Sequence, residues 1–133
     1  MKKLILLAVF TCTISFMNAQ TYQLSSHILD ISTGNPAPNV VVKLLKLTPA
    51  NQWVTLNQNT TDTNGRIINF LPNTNKDNKG TYKLVFETLP YFNSNNLESF
   101  YPFVEVVFII NDNKHYHVPI TISPFGYATY KGN

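Results

Sequence analysis

Residues 115–133 read HYHVPITISPFGYATYKGN, and the reading of this stretch decides the fold. Tyr116, Val118, Ile120 and Ile122 recur at every second residue, with His115, His117, Pro119 and Thr121 between them. A two-residue period puts the two sets on opposite faces of a β-strand, because successive side chains point to opposite sides of the pleat. Pro124-Phe125-Gly126 then supplies a turn, and aromatic and charged residues continue to the last position. A terminus frays unless packing or hydrogen bonding ties it down, so a tail this rich in specific side chains reads as one with a task.

Working back along the chain, short runs rich in β-branched and aromatic residues recur at 22–30, 40–47, 53–57, 82–88, 104–110 and 117–122. Explicit turn chemistry separates them at Thr33-Gly34-Asn35-Pro36, Asp62-Thr63-Asn64-Gly65 and Asn111-Asp112-Asn113-Lys114. Asn64-Gly65 is the strongest hairpin-type signal among them. The Asn-rich stretch 72–80 reads as a mobile surface loop, and residues 89–96 as a short helix entered through Pro90. Strands at this spacing predict an all-β sandwich in one domain, with no internal repeat.

The first residues read differently. Lys2 and Lys3 precede an apolar run from Leu4 to Phe10 that Thr residues interrupt and that is too short for a membrane span. This is the pattern of a cleaved export signal, residues 1–19, in preference to a buried N-terminal helix, and it leaves 20–133 as the mature domain. The expected location is periplasmic or secreted, with no membrane attachment after cleavage. Cleavage removes two of the ten basic residues against seven acids, so the mature domain is close to neutral. With no Lys/Arg cluster, nucleic acid is not indicated as a partner. Cleavage also removes Cys12, the single cysteine. Disulfides, thiol nucleophiles and thiolate metal ligands are thereby excluded from the mature chain. At about 114 residues the domain can bury a core, and partner subunits would help to stabilise it.

Histidine occurs three times, and arginine once, at Arg66. On the first predicted strand Leu24, Ser26 and Ile28 share one face and Gln23, Ser25 and His27 the other, which puts His27 on the polar side. His115 and His117 point the same way on the last strand. Periodicity alone reads both as part of a solvated face. A functional alternative is a metal site, since an i, i+2 pair sets two imidazoles side by side with His27 as a third ligand. No fourth ligand appears by spacing, and His-x-His alone is weak evidence. Arg66, directly after the Asn64-Gly65 turn, reads by default as an exposed charge. No nucleophile-elbow pattern supports a Ser-His-Asp triad.

Taken in order, Ser25-Ser26-His27-Ile28-Leu29-Asp30, Gly34-Asn35-Pro36-Ala37, Thr61-Asp62-Thr63-Asn64-Gly65-Arg66, Glu98-Ser99-Phe100-Tyr101-Pro102, His115-Tyr116-His117-Val118-Pro119 and Ser123-Pro124-Phe125-Gly126-Tyr127 resemble the transthyretin-like proteins. The resemblance spans almost the whole mature chain. It implies a transthyretin-like β-sandwich of two antiparallel sheets with one short helix. The family divides into a carrier of thyroid hormone and an enzyme, 5-hydroxyisourate hydrolase. The hydrolase pattern has a histidine in the first strand, an arginine after the Asx-Gly-type turn, the second histidine of His-x-His and a C-terminal Tyr-Arg-Gly-Ser. His27, Arg66 and His117 match the first three. Tyr130-Lys131-Gly132-Asn133 matches the tail in position and departs from it at Lys131 and Asn133. Lysine keeps the charge without the bidentate fork, and asparagine replaces a hydroxyl by an amide.

The resemblance therefore implies hydrolytic opening of 5-hydroxyisourate to 2-oxo-4-hydroxy-4-carboxy-5-ureidoimidazoline in urate catabolism. It assigns catalysis to His27, Arg66 and His117, and substrate binding to His27, Arg66, Tyr130, Lys131 and Asn133. His115 becomes a neighbour of the site instead of a catalyst. No metal or organic cofactor is then required, and the implied assembly is a homotetramer, a dimer of dimers with the sites where two dimers meet. Two other classes remain open: a transthyretin-fold small-molecule carrier with weak or no hydrolase activity, and an immunoglobulin-like adhesion module.

Overall fold

The computed structural model describes residues 21–74 and 77–133. The expected leader, with Cys12, and two positions of the Asn-rich loop lie outside the described residues. Nine strands and one helix follow in the order β1 (Tyr22–Asp30), β2 (Asn35–Pro36), β3 (Val41–Leu47), β4 (Trp53–Thr60), β5 (Arg66–Pro72), β6 (Gly80–Phe86), α1 (Thr88–Ser94), β7 (Val104–Ile110), β8 (Tyr116–Ser123) and β9 (Gly126–Thr129). They form two sheets, one in the order β4-β3-β6-β7 and the other running β2-β1-β8-β9 with β5 also paired to β1. β2 pairs with the last two residues of β1 and β5 with the rest of it, so the two share the edge of β1 that β8 leaves open.

The alternating residues fill the space between the sheets. Leu24 and Ile28 of β1, Val42 and Leu44 of β3, Leu84 and Phe86 of β6, and Ile120 and Ile122 of β8 are all buried to 1 % exposure or less. Burying a side chain of this size contributes about 1.5–3 kcal/mol, which makes this interior the main source of stability. The expected β-sandwich with a short helix is what forms. Its pairings are antiparallel except one: β1 and β8 run parallel. Strand direction is absent from local periodicity, because the period of two is the same either way.

Three local expectations change. Asn64-Gly65 makes a tight turn, but it connects β4 of one sheet to β5 of the other instead of closing a hairpin. Its dihedrals were legible, and its partner was not. Residues 66–72 form a strand that alternation misses, because irregularities in the β1–β5 register break the two-residue period. The first part of the tail is a strand too, β9, an exposed edge with no apolar alternation to announce it. The Asn-rich stretch is tied to the fold at its described residues: Tyr82 donates its hydroxyl to the Asn78 carbonyl, and Asn78 bonds Gln23 Oε1 and the Pro72 carbonyl.

Candidate functional site

The turn after β4 sets the first part of the site. Asp62 accepts the Asn64 and Arg66 backbone N–H groups on Oδ1, both at 2.9 Å, and Gly65 closes the loop onto the Asp62 carbonyl at 2.9 Å. Gly65 sits at φ +68°, and a Cβ there would lie 2.6 Å from the Ile28 carbonyl oxygen. Only glycine fits a left-handed residue pressed against a neighbouring strand. The consequence is register: Arg66 enters β5 directly opposite His27 of β1.

The parallel pairing of β1 with β8 sets the second part. Ser25 faces His117 and His27 faces Pro119. Residues opposite one another in a ladder lie on one face, so Ser25, His27, Arg66 and His117 gather on the outer face of β5-β1-β8, away from the core. Ser25 Oγ lies 2.8 Å from His117 Nδ1 and 2.8 Å from His115 Nε2, and His115 Nδ1 lies 3.1 Å from the Tyr22 carbonyl oxygen. Gln23, the next residue on this face, donates to the Asp112 carbonyl at 2.8 Å. Gln23 and Ser25 are buried and the three histidines are half-buried, so the polar face is a packed hydrogen-bonded surface and not a solvated one.

The electrostatics favour neutral imidazoles. Burial lowers the pKa of His27 from its ordinary 6.5 and the Arg66 guanidinium lowers it further, while a backbone hydrogen bond at Asn64 and the Asp62 carboxylate act the other way. Burial is also the main cause lowering His117, followed by the charges of Arg66, His27 and His115, against a backbone hydrogen bond at Ser25. An imidazole held below its ordinary pKa is available as a base at neutral pH. Among the described residues no three His, Cys, Asp or Glu side chains are placed to share a metal ion, and His115 and His117 share Ser25 Oγ instead.

The tail returns to this cluster. Gly132 donates its N–H to the His117 carbonyl at 2.9 Å, and it packs so closely that a Cβ would lie 2.5 Å from His117 Cδ2. His117 also lines an open cleft of about 310 Å³ together with Val106, Thr129, Tyr130 and Lys131. His27 and Arg66 lie outside that lining, so His117 is the residue that joins the cluster to the cleft. Tyr130 is exposed beside it. Lys131 Nζ stands 5.7 Å from the centre of the Tyr116 ring and contributes to lowering the Asp112 pKa, which directs its charge along the edge of β8. Asn133 follows Gly132 as an exposed final residue. Neither Ser25 nor Gly132 is among the residues that sequence singles out. Ser25 could have been found from its position on the His27 face, and Gly132 is the glycine that matches the family's tail; what requires it, a close approach to the His117 ring, is tertiary.

The model of the HIUase/Transthyretin family matches residues 24–132, which includes Ser25, His27, Arg66, His115, His117 and Gly132. The chain belongs to that family. Its relatives in the HIUase/Transthyretin family include a probable 5-hydroxyisourate hydrolase of Caenorhabditis elegans, 44% identical over 91% of this chain and 89% of that protein. The 5-hydroxyisourate hydrolase of Salmonella dublin is 44% identical over 83% of this chain and 80% of that protein. Among solved structures of the family, Klebsiella pneumoniae 5-hydroxyisourate hydrolase superimposes with a TM-score of 0.71 at 38% identity, covering 83% of this chain and 98% of that one. Sea bream transthyretin in complex with thyroxine superimposes with a TM-score of 0.76 at 30% identity, covering 83% and 94%. Both branches of the family share the backbone, so the fold does not choose between them.

Proposed function

We propose that this protein hydrolyses 5-hydroxyisourate to 2-oxo-4-hydroxy-4-carboxy-5-ureidoimidazoline, a step of urate breakdown. The observation that carries the reading is the meeting of His27, Arg66 and His117 on one face, with both imidazoles held neutral beside a fixed positive charge. The relatives named as 5-hydroxyisourate hydrolases support it. In the proposed reaction a water oxygen attacks the ring carbonyl as His117 takes its proton, so a C–O bond forms and negative charge develops on the carbonyl oxygen. The Arg66 guanidinium stabilises that charge, an effect of several kcal/mol where water is excluded. The C–N bond then breaks, and the proton held by His117 passes to the leaving nitrogen. His27 orients water or substrate, and Tyr130, Lys131 and Asn133 border the substrate from the tail. No step calls for a metal or an organic cofactor.

The site is open on one side, where Arg66, Ile68 and Tyr130 are exposed. That exposure supports a homotetramer in which a second dimer covers the face. The basic and apolar start of the chain supports export to the periplasm or beyond the cell. A second reading, a small-molecule carrier of the same fold, is favoured by the match to thyroxine-bound transthyretin and by the departure of Lys131 and Asn133 from the hydrolase tail.

The test is the decay of freshly made 5-hydroxyisourate with purified protein. Turnover that a chelator leaves unchanged supports the hydrolase. His117→Ala and Arg66→Ala are expected each to lower kcat/KM at least about tenfold in a folded protein, the loss of one transition-state interaction. Binding of the substrate without turnover would establish the carrier.

A further inference from the structure

The reaction above gives no part to His115 and Ser25, yet their hydrogen bonds link three residues of this face end to end. A neutral imidazole carries one N–H, and a backbone carbonyl can only accept. His115 Nδ1 faces the Tyr22 carbonyl, so neutral His115 carries its hydrogen on Nδ1 and leaves Nε2 as an acceptor. Ser25 must then donate its one hydroxyl hydrogen to His115 Nε2. Its contact with His117 Nδ1 at 2.8 Å can therefore be made only by an N–H donated from His117. The count closes: the hydrogen of His117 is on Nδ1, and the lone pair is on Nε2. His117 bonds a side chain only through Nδ1 among the described residues, its other contact being with the Ser25 backbone, and Gly132 lies against Cδ2, the ring carbon bonded to Nε2.

We propose that Ser25 and His115 are positioning residues that hold His117 as its Nδ1–H tautomer and so present Nε2 as the basic atom. The backbone carbonyl of Tyr22 sets the direction of the whole chain. This rests on the reading of His117 as the base, but its first test does not need substrate. In protein labelled with nitrogen-15 at histidine, above the pH range in which imidazole titrates, the two ring nitrogens of His117 are distinguished by their chemical shifts. The wild type is expected to show a bare Nε2 and a protonated Nδ1.

Two variants separate an ordering role from a merely structural one. In His115→Phe the Ser25 hydroxyl loses its acceptor and is free to donate to His117 Nδ1, which should move the His117 hydrogen to Nε2. Ser25→Ala should give a mixture of tautomers, and Ser25→Thr, which keeps the hydroxyl, should restore the wild-type spectrum. In turnover, Ser25→Ala and His115→Phe should each lower kcat about tenfold with KM little changed, while Ser25→Thr stays near wild type. A wild-type His117 protonated on Nε2 overturns the proposal, as does an unaltered tautomer in folded His115→Phe. If the tautomers shift as expected but no variant, wild type included, turns over 5-hydroxyisourate, the ordering stands and the hydrolase reading fails.

Discussion

The two sheets expose outer faces of the same kind of sequence, polar residues alternating with apolar ones, and the two faces have different fates. On β4-β3-β6-β7 the outward charges pair loosely at the surface. Lys43 meets Glu87 at 2.8 Å and Lys83 meets Glu105 at 3.0 Å, with Lys43 and Glu105 at least 40% exposed. The more exposed of the two, Lys43–Glu87, contributes about 0–1 kcal/mol, since water and salt screen it, whereas Lys83 is only 13% exposed and lies over the Trp53 ring. On β5-β1-β8 the outward groups bond to one another: Ser25 bridges two histidines, Gln23 is covered by Asp112 and Asn78, and Arg66 stands across from His27. A polar stripe on a strand thus becomes a site when its partners are other polar side chains held in register, and remains a solvated surface when its partners are solvent.

That contrast breaks most severely at the turn that sets the register. Gly65→Ala forces a Cβ to within 2.6 Å of the Ile28 carbonyl in a left-handed residue. A cost of about 2 kcal/mol or more is expected, seen as a fall in Tm on the order of 10 °C. The loss of kcat/KM should exceed the unfolded fraction, because Arg66 is displaced from His27. A melt within a degree or two of wild type would show that the turn does not govern the register.

A smaller effect concerns charge within the site. Burial and Arg66 depress the pKa of both His27 and His117, so between those depressed values and the ordinary 6.5 the unfolded chain binds more protons than the folded one. Stability contributed by the two histidines is therefore present above pH 6.5 and lost as the pH falls through the lowered values. The acidic limb of kcat/KM should likewise lie below 6.5. Arg66→Gln removes one of the depressing charges and should move that limb upward, in addition to lowering the rate. A limb that stays in place would show that the guanidinium acts on substrate alone.

The smallest effect belongs to the other sheet. Lys43→Ala should change unfolding free energy by less than about 1 kcal/mol, measured in denaturant, and leave turnover unchanged. A larger loss of either would erase the distinction between the two faces.

Much of this could be read along the chain, and the limits are specific. The apolar sets Leu24/Ile28 and Tyr116/Val118/Ile120/Ile122 are buried as their alternation predicts, because the side-chain period of a strand is a property of the backbone alone. β1 and β7 have the boundaries that their composition indicates, and α1 forms after Glu87, within two residues of its expected ends. β5 was hidden by irregular register, and β9 by its exposure. His27, Arg66 and His117 were named through resemblance; on alternation alone each is a polar residue beside a turn or on an outer face.

The sequence by itself determined which residues face inward, where the chain turns, and that glycine occupies the left-handed position before Arg66. These are local matters, settled by pleat geometry and dihedral preference. Only the tertiary structure decided that β1 and β8 run parallel, that the Asn64-Gly65 turn crosses between sheets, and that Ser25, far from His115 and His117 in the chain, lies between their rings. The physical reason is that hydrogen-bond partners across a ladder are chosen by the packing of the whole sandwich, and no local period carries that choice.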